Sequence, residues 1–344
     1  TVTCGVIKYS GDITIPSSVI NSSNRYRVTD IGVDAFRDCT ELNSVTIPEI
    51  IVNQGAFRGC TGLTAIYGPY ATEDNRCWIS SGVLLAFAPA GLTEFAIPDG
   101  VTSIGKYVFY NCTDLQTISI PEGVTEIGAY AFAGCTGLSS ITIPESVTSI
   151  GAGAFAGCAN LKNVTIPNSV TTIKGLAFQN CTGIEKFKIE DGSTTLNFTY
   201  ESSSSSGHPF VGASIDYLYV GRNISGYYFP KASLKTLVLD GGYTKITDFN
   251  SCTNLTSVSI GKSVTSIADS GLGGCTSLTS ITVENVNPAS ITLGTTVFAS
   301  VPKESCTLYV PAWSQGNYAA AAQWKDFLNI IEFDDRALID GNPY

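Results

Sequence analysis

Methionine is absent from the sequence, histidine occurs once, at His208, and charged residues make up only 14% of the chain. Each shortage excludes something. Low charge beside 44% hydrophobic residues excludes a disordered chain. With Thr1 first and no methionine anywhere, the chain reads as processed or trimmed at its N-terminus, and a removed signal peptide fits. No apolar run approaches the roughly 20 residues that a membrane helix requires, so no membrane insertion is expected. Acidic residues outnumber basic ones, 29 to 19. No basic stripe stands ready for phosphates, which argues against a nucleic-acid partner. No C-x-x-C pair occurs and only one imidazole is present, so neither a metal nor a cofactor is expected. No glycine-rich phosphate loop appears. His208 follows "SSSSSG" and lacks a nucleophile and an orienting acid at a recognised spacing. It reads as a surface-loop histidine, and no catalytic residue is assigned. Carboxylates are scattered, so a paired acid–base site would have to be assembled by the fold.

Cysteine and a repeat are what the chain has in quantity. Cys39, Cys60, Cys112, Cys135, Cys158, Cys181, Cys252 and Cys275 share one register, with a step of 23 residues in the regular stretches. Three residues before each stands Phe36, Phe57, Phe109, Phe132, Phe155, Phe178, Phe249 or Leu272. Three residues after each stands Leu or Ile, then an alternating triplet such as Ile118-Ser119-Ile120 or Ile141-Thr142-Ile143. Alternating β-branched residues make a short strand with one buried face. Pro121, Pro144 and Pro167 then end the strand, since proline cannot donate to a ladder. Phe and Cys at i and i+3 share one face of a short helical turn. The residue just before each cysteine is Gly, Asn, Asp or Ser, types that tolerate left-handed backbone. One such unit cannot bury its own apolar face; stacked units can. Degenerate copies fill the gaps, and about 13 turns are counted. In the strands, Ser139, Ser140, Thr142, Lys162, Asn163 and Thr165 are expected to point outward.

The pattern Leu-x-x-Ile-x-Ile-Pro-x-x-Val-x-x-Ile-Gly-x-x-Ala-Phe-x-x-Cys resembles the BspA-like bacterial leucine-rich repeat of the 23-residue class. "YRVTDIGVDAFRDC" (26–39) resembles that family's entry turn, and "CTLYVPAWSQGNYAAAAQWKDFLNIIE" (306–332) its closing strand and helix. The resemblance implies an α/β repeat solenoid, a right-handed stack with a C-terminal capping helix. The expected organisation is one solenoid over 1–335, with irregular turns near 68–90 and 190–233, a cap at 306–332 and a tail at 336–344. The apolar stripe Trp324, Phe327 and Ile331 is assigned to covering the open end. The resemblance also implies a secreted or cell-surface bacterial protein, some relatives being associated with adhesion. It brings no catalytic residues with it.

The shared register of eight cysteines argues against disulfides. Neighbours one strand spacing apart would lie within bridging range, but their Cβ vectors would run parallel. Buried free thiols are expected. Cys4, Cys77 and Cys306 fall outside the column, and their state stays open.

Two aromatic clusters stand where the repeat is irregular. One is Tyr67, Tyr70, Arg76 and Trp78; the other is Tyr217, Tyr219, Arg222, Tyr227, Tyr228 and Phe229. Tyr, Trp and Arg dominate binding hot spots, and irregular segments on rigid scaffolds often carry function. The competing account is that they fill space where short turns pack badly. The candidate binding residues are Tyr217, Tyr219, Arg222, Tyr227, Tyr228, Tyr67 and Trp78. The expectation is a non-enzymatic binding protein whose surface engages a protein or a glycan. The alternatives are a structural spacer for another surface module and, less favoured, a carbohydrate-active enzyme. Ice or mineral binding by the Ser/Thr rows is remote, because Lys, Glu and Tyr interrupt them.

Overall fold

A computed structural model describes residues 8–200, 207–226 and 229–333. The fold is a β-solenoid of about 13 turns with few helices. The chain forms two compact units, Thr1–Asn163 with Thr172–Gly183 and Thr199–Ala213, and Val164–Thr171 with Ile184–Phe198 and Ser214–Tyr344.

In the first unit the expected triplets are short parallel strands. Glu94–Ala96, Thr117–Ser119 and Ser140–Ile141 pair in register, with Phe95 beside Ile118 and Ile118 beside Ile141. A second parallel ladder forms from the later apolar pair of each turn, aligning Leu84, Ile104, Ile127 and Ile150. Ile104, Ile127 and Ile150 are fully buried. Ser139, Ser140, Thr142, Lys162 and Asn163 are exposed, as the alternation requires. The 68–90 insertion is a β-hairpin, with Cys77–Ser80 antiparallel to Val83–Phe87; its second strand enters the ladder beside Ser103–Ile104.

The second unit is built on one set of parallel strands: Ile184–Ile189, Ile215–Arg222, Thr236–Gly242, Ser257–Ile260, Ser280–Val283, Thr307–Pro311 and Asn329–Phe333. Phe187, Leu218, Leu237, Val258, Ile281, Leu308 and Ile330 occupy one row across them. Thr165, also expected outward, is exposed.

The Phe-x-x-Cys segments are not helices. The six from Phe36–Cys39 to Phe178–Cys181 are single tight turns closed by i to i−3 bonds, as from the Cys135 amide to the Phe132 carbonyl at 3.2 Å. The reason lies in their two ends. Asp38, Gly59, Asn111, Gly134, Gly157, Asn180, Ser251 and Gly274, each just before a cysteine, all have positive φ. A second left-handed residue stands four earlier, at Asp34, Gly55, Tyr107, Tyr130, Gly153, Leu176 and Ser270. A right-handed helix cannot propagate through either. Between them the turn presents its backbone to the next one: the Phe132 amide donates to the Ala154 carbonyl and the Phe155 amide to the Ala177 carbonyl, each at 2.8 Å.

Rings stack along the same line. Phe109–Phe132, Phe132–Phe155, Phe155–Phe178 and Phe178–Phe210 have centroids 4.9, 5.3, 5.4 and 5.6 Å apart and nearly parallel planes. That spacing is close to the roughly 4.8 Å between paired strands. Phe210 shows that "HPFVGA" is a further copy of the turn, with Ala213 where cysteine stands elsewhere and Gly212 left-handed before it.

The closing segment carries the expected helix in a short form, Gln315–Ala320; Ala321 is already extended, and a single 3-10 turn follows at Trp324–Asp326. Trp324 and Phe327 are buried against Phe298, whereas Ile331 is 48% exposed on the final strand.

Ile127 tests the register. Ile127→Asp places an unpaired charge between Ile104 and Ile150 and is expected to cost about 3 kcal/mol or more. The neighbouring Glu126→Ala, on an exposed side chain, is expected to be nearly silent. Urea melts followed by circular dichroism check this, and equal losses for the two variants would mean that the strand faces are misassigned.

Candidate functional site

The cysteines come first among groups able to do chemistry. All ten within the described residues are free and buried. Cys4 lies outside those residues, and Cys77 and Cys306 are not bridged. The column thiols have a specific partner. The Sγ–H groups of Cys60, Cys135, Cys158, Cys181 and Cys275 donate to the carbonyls of Phe36, Phe109, Phe132, Phe155 and Phe249, at 2.8 to 3.2 Å. Each thiol thus satisfies the carbonyl one turn back, a role that a plain apolar filler could not take. Burial pushes Cys60 and Cys181 up to about 12 and Cys306 up to about 11. Such thiols are not nucleophiles. Among the described residues no group of three His, Cys, Asp or Glu side chains could hold a metal.

His208 is less a surface residue than its loop suggested. It is half-buried, its Nδ1 accepts from the Phe210 amide at 3.1 Å, and its carbonyl accepts from the Leu176 amide at 3.1 Å. Burial lowers its pKa. It shapes the degenerate turn.

The second aromatic cluster divides. Parallel pairing puts Tyr217 beside Lys186 and Tyr219 beside Lys188, all on the outward face. The Lys186 ammonium stands 5.0 Å from the Tyr217 ring centre, and that of Lys188 stands 5.6 Å from the Tyr219 ring centre. Both distances suit cation–π attraction. The Tyr219 hydroxyl donates to Asp191 Oδ1 at 2.5 Å. Burial first, and then this bond to a carboxylate, raise the Tyr219 pKa, so the phenol keeps its proton. A Cβ at Gly221 would strike the Asp191 carboxylate and backbone, so glycine there lets the acid reach Tyr219. Both tyrosines keep part of their rings in solvent.

Arg222 requires a correction. It is fully buried, donating from Nη1 to the Asn168 carbonyl at 2.7 Å and from Nη2 to the Pro167 carbonyl at 2.8 Å. It fastens the chain after a proline and is closed to a ligand. Strand parity held the signal, since Leu218, Val220 and Arg222 share the inward side. Tyr227 and Tyr228 lie outside the described residues. Phe229 is buried and stacked on Phe249 at 6.0 Å.

The first cluster is mostly packing. Trp78 is fully buried in the inserted hairpin, edge-on to Tyr70 at 5.5 Å, so it too is corrected from a surface anchor to a core residue. Arg76 donates to the Ala88 and Ala90 carbonyls at 3.1 and 3.0 Å. Tyr67 is 43% exposed at the end of the strand Ala65–Tyr67 and stands apart from the lysine–tyrosine rows in sequence and strand set. What sequence reasoning missed was the lysines: Lys186 and Lys188 alternate with Phe187 and Ile189, which marks them as outward, but their pairing with tyrosines 31 residues on needs the register.

The family model described as the BspA type leucine rich repeat region matches in 6 copies, over residues 12–74, 85–205 and 220–306. The chain belongs to the BspA-type leucine-rich repeat family. No curated protein matches it. A leucine-rich repeat protein from Bacteroides ovatus is 21% identical, with 95% of each chain covered and a TM-score of 0.45. A leucine rich cell surface protein from Faecalibacterium prausnitzii is 20% identical over 98% of this chain and 91% of that one, with a TM-score of 0.32. The pneumococcal vaccine antigen PcpA is 15% identical over 95% and 89%, with a TM-score of 0.39. Identities of this order carry no function from one chain to another. BspA-type repeats are typically non-enzymatic scaffolds, and no helix among the described residues is long and apolar enough to cross a membrane.

The thiol ladder is directly testable. Because every column thiol is buried, and burial raises Cys60, Cys158 and Cys181 in particular, Ellman's reagent at pH 8 is expected to find almost no reactive sulfur in the native protein. Urea should release the signal of all eleven cysteines. Rapid native reaction of several equivalents would contradict a buried, protonated column.

Proposed function

We propose that this BspA-type chain is a non-enzymatic binding scaffold of a secreted or surface-attached bacterial protein. Its ligand, a protein or a glycan, docks on the outward face of the strands Ile184–Ile189 and Ile215–Arg222. The observation that carries the reading is the pairing of Lys186 with Tyr217 and of Lys188 with Tyr219. The rows beyond continue with small side chains, Thr236 and Val238, then Ser257 and Ser259. Four large side chains therefore stand beside two strands that present low rows. Tyrosine brings apolar area with little rotamer entropy to lose, and the lysines bring charge already placed. The face suits a ligand that offers carboxylates to the lysines and apolar or sugar surface to the ring edges.

Parallel strands hold these side chains on a rigid support, so docking requires little reordering. Tyr219 has an internal partner in Asp191, which fixes its ring and makes it a costly residue to truncate. Tyr217 and Lys186 are the cleaner probes.

A screen of host extracellular proteins and a glycan array, read with the full chain, would identify the ligand. The double variant Lys186→Ala/Tyr217→Ala is expected to weaken its binding roughly tenfold or more. The same variant should leave the melting temperature nearly unchanged, since both side chains point out of the core. A ligand whose affinity ignores this variant would place its site elsewhere and end the proposal.

A further inference from the structure

Trp313 is the most exposed large apolar side chain among the described residues, with 94% of its surface open to solvent. Its backbone is left-handed, φ 67°. A bulky side chain adopts that region only with strain. Trp313 belongs to neither left-handed register of the repeat turn. It follows Val310-Pro311-Ala312, and after the similar Ile97-Pro98-Asp99 the chain places Gly100, with φ 86°. Glycine is the unstrained choice here. An indole held in water on a strained backbone adds nothing to folding, which points to a use outside the fold.

The surroundings say what use. Trp313 borders a groove of about 1000 Å³ between the loop that leads into Pro288–Ser290 and the helix Gln315–Ala320 with the turn after it. That is the size of a small-ligand site. None of the residues lining it is ionisable, although the chain carries 48 Asp, Glu, Lys and Arg residues (29 acidic plus 19 basic). Its polar side chains are carboxamides, those of Asn287, Asn317 and Gln323. Gln323 is fixed, with Oε1 accepting from the Val297 amide at 2.9 Å and Nε2 donating to the Gly294 carbonyl at 2.7 Å. Trp324, 1% exposed, also lines the groove and forms part of its apolar floor.

A charged ligand would leave water here without meeting a counter-charge. A neutral ligand with apolar faces and many hydroxyls meets what is present: a flat indole for its C–H face and carboxamides for its hydroxyls. We propose that the Trp313 groove is a second binding site, one that takes a neutral oligosaccharide by stacking a sugar face on the Trp313 indole. It does not rest on the lysine–tyrosine face.

The test uses the full chain and a panel of neutral hexasaccharides with glucose, galactose, mannose and N-acetylglucosamine backbones. Trp78 and Trp324 are buried, so solvent-type emission and iodide quenching report on Trp313. At least one probe is expected to shift the emission to the blue and to protect it from iodide. Trp313→Ala should weaken that probe's binding roughly tenfold or more, read by calorimetry. Trp313→Gly is expected to abolish binding while melting no lower than the wild type, because strain is relieved. Lys186→Ala/Tyr217→Ala should bind the probe unchanged, which separates the two sites. The proposal is overturned if no hexasaccharide shifts the emission at millimolar concentration, or if Trp313→Ala binds as the wild type does. It is also overturned if Trp313→Gly melts well below the wild type, which would make Trp313 a packing residue, or if an uncharged apolar peptide occupies the groove where the sugars do not.

Discussion

The Phe132 amide donates to the Ala154 carbonyl, the Cys158 thiol donates back to the Phe132 carbonyl, and the Phe132 and Phe155 rings lie face to face. These three contacts join one turn to the next at a place where no strand forms. They do there what strand pairing does on the two ladders: they hold the turn-to-turn distance to one strand spacing. A residue at any position must then stack on its own equivalent. The repeat in the sequence is the consequence. A side chain that suits the column once suits it in every turn, and one that does not costs stability in its own turn and at both neighbours.

Left-handed backbone is what makes the tight turn compatible with that spacing. Two residues in nearly every turn sit at positive φ and cut the helical segment to a single turn, so alternate amides, such as those of Tyr130, Phe132 and Gly134, face the neighbouring turn while the others close locally. The position before the cysteine is filled by residue types that tolerate this geometry. The earlier one is more permissive in sequence and accepts Tyr107, Tyr130 and Leu176. Those tyrosines gain something in exchange: Tyr107 and Tyr130 stack at 5.2 Å, and the Arg58 guanidinium covers Tyr107 at 4.6 Å. Packing along the column can therefore sustain a backbone that local propensity alone would refuse.

Both candidate sites fall where the repeat relaxes. The long strand Ile215–Arg222 follows the irregular stretch, and its outward tyrosines meet lysines across the pairing. The Trp313 groove opens in the closing segment, where a six-residue helix takes the place of another repeat turn. Regular turns present low rows of Ser, Thr and Asn, whose uniformity is a poor basis for discrimination. Departures from the repeat place large side chains on a support that the regular turns keep rigid.

Period and residue type sufficed, by themselves, to determine the repeat, its strand faces, the buried cysteine column and the left-handed residue before each cysteine. These follow from local rules that every copy restates, so each was legible many times over. The tertiary structure alone decided which irregular residues face solvent. Arg222 and Trp78 share the composition of a binding site with Tyr217 and Tyr67, yet the first two are buried, because strand parity and a hairpin turn them inward. Lys186 and Tyr217 are 31 residues apart and meet only through the register of parallel strands. Trp313 falls within the segment expected to cap the stack, and only the chain's path leaves it in water. Burial is a property of what packs over a residue, and in an irregular turn nothing in the neighbouring sequence states what that will be.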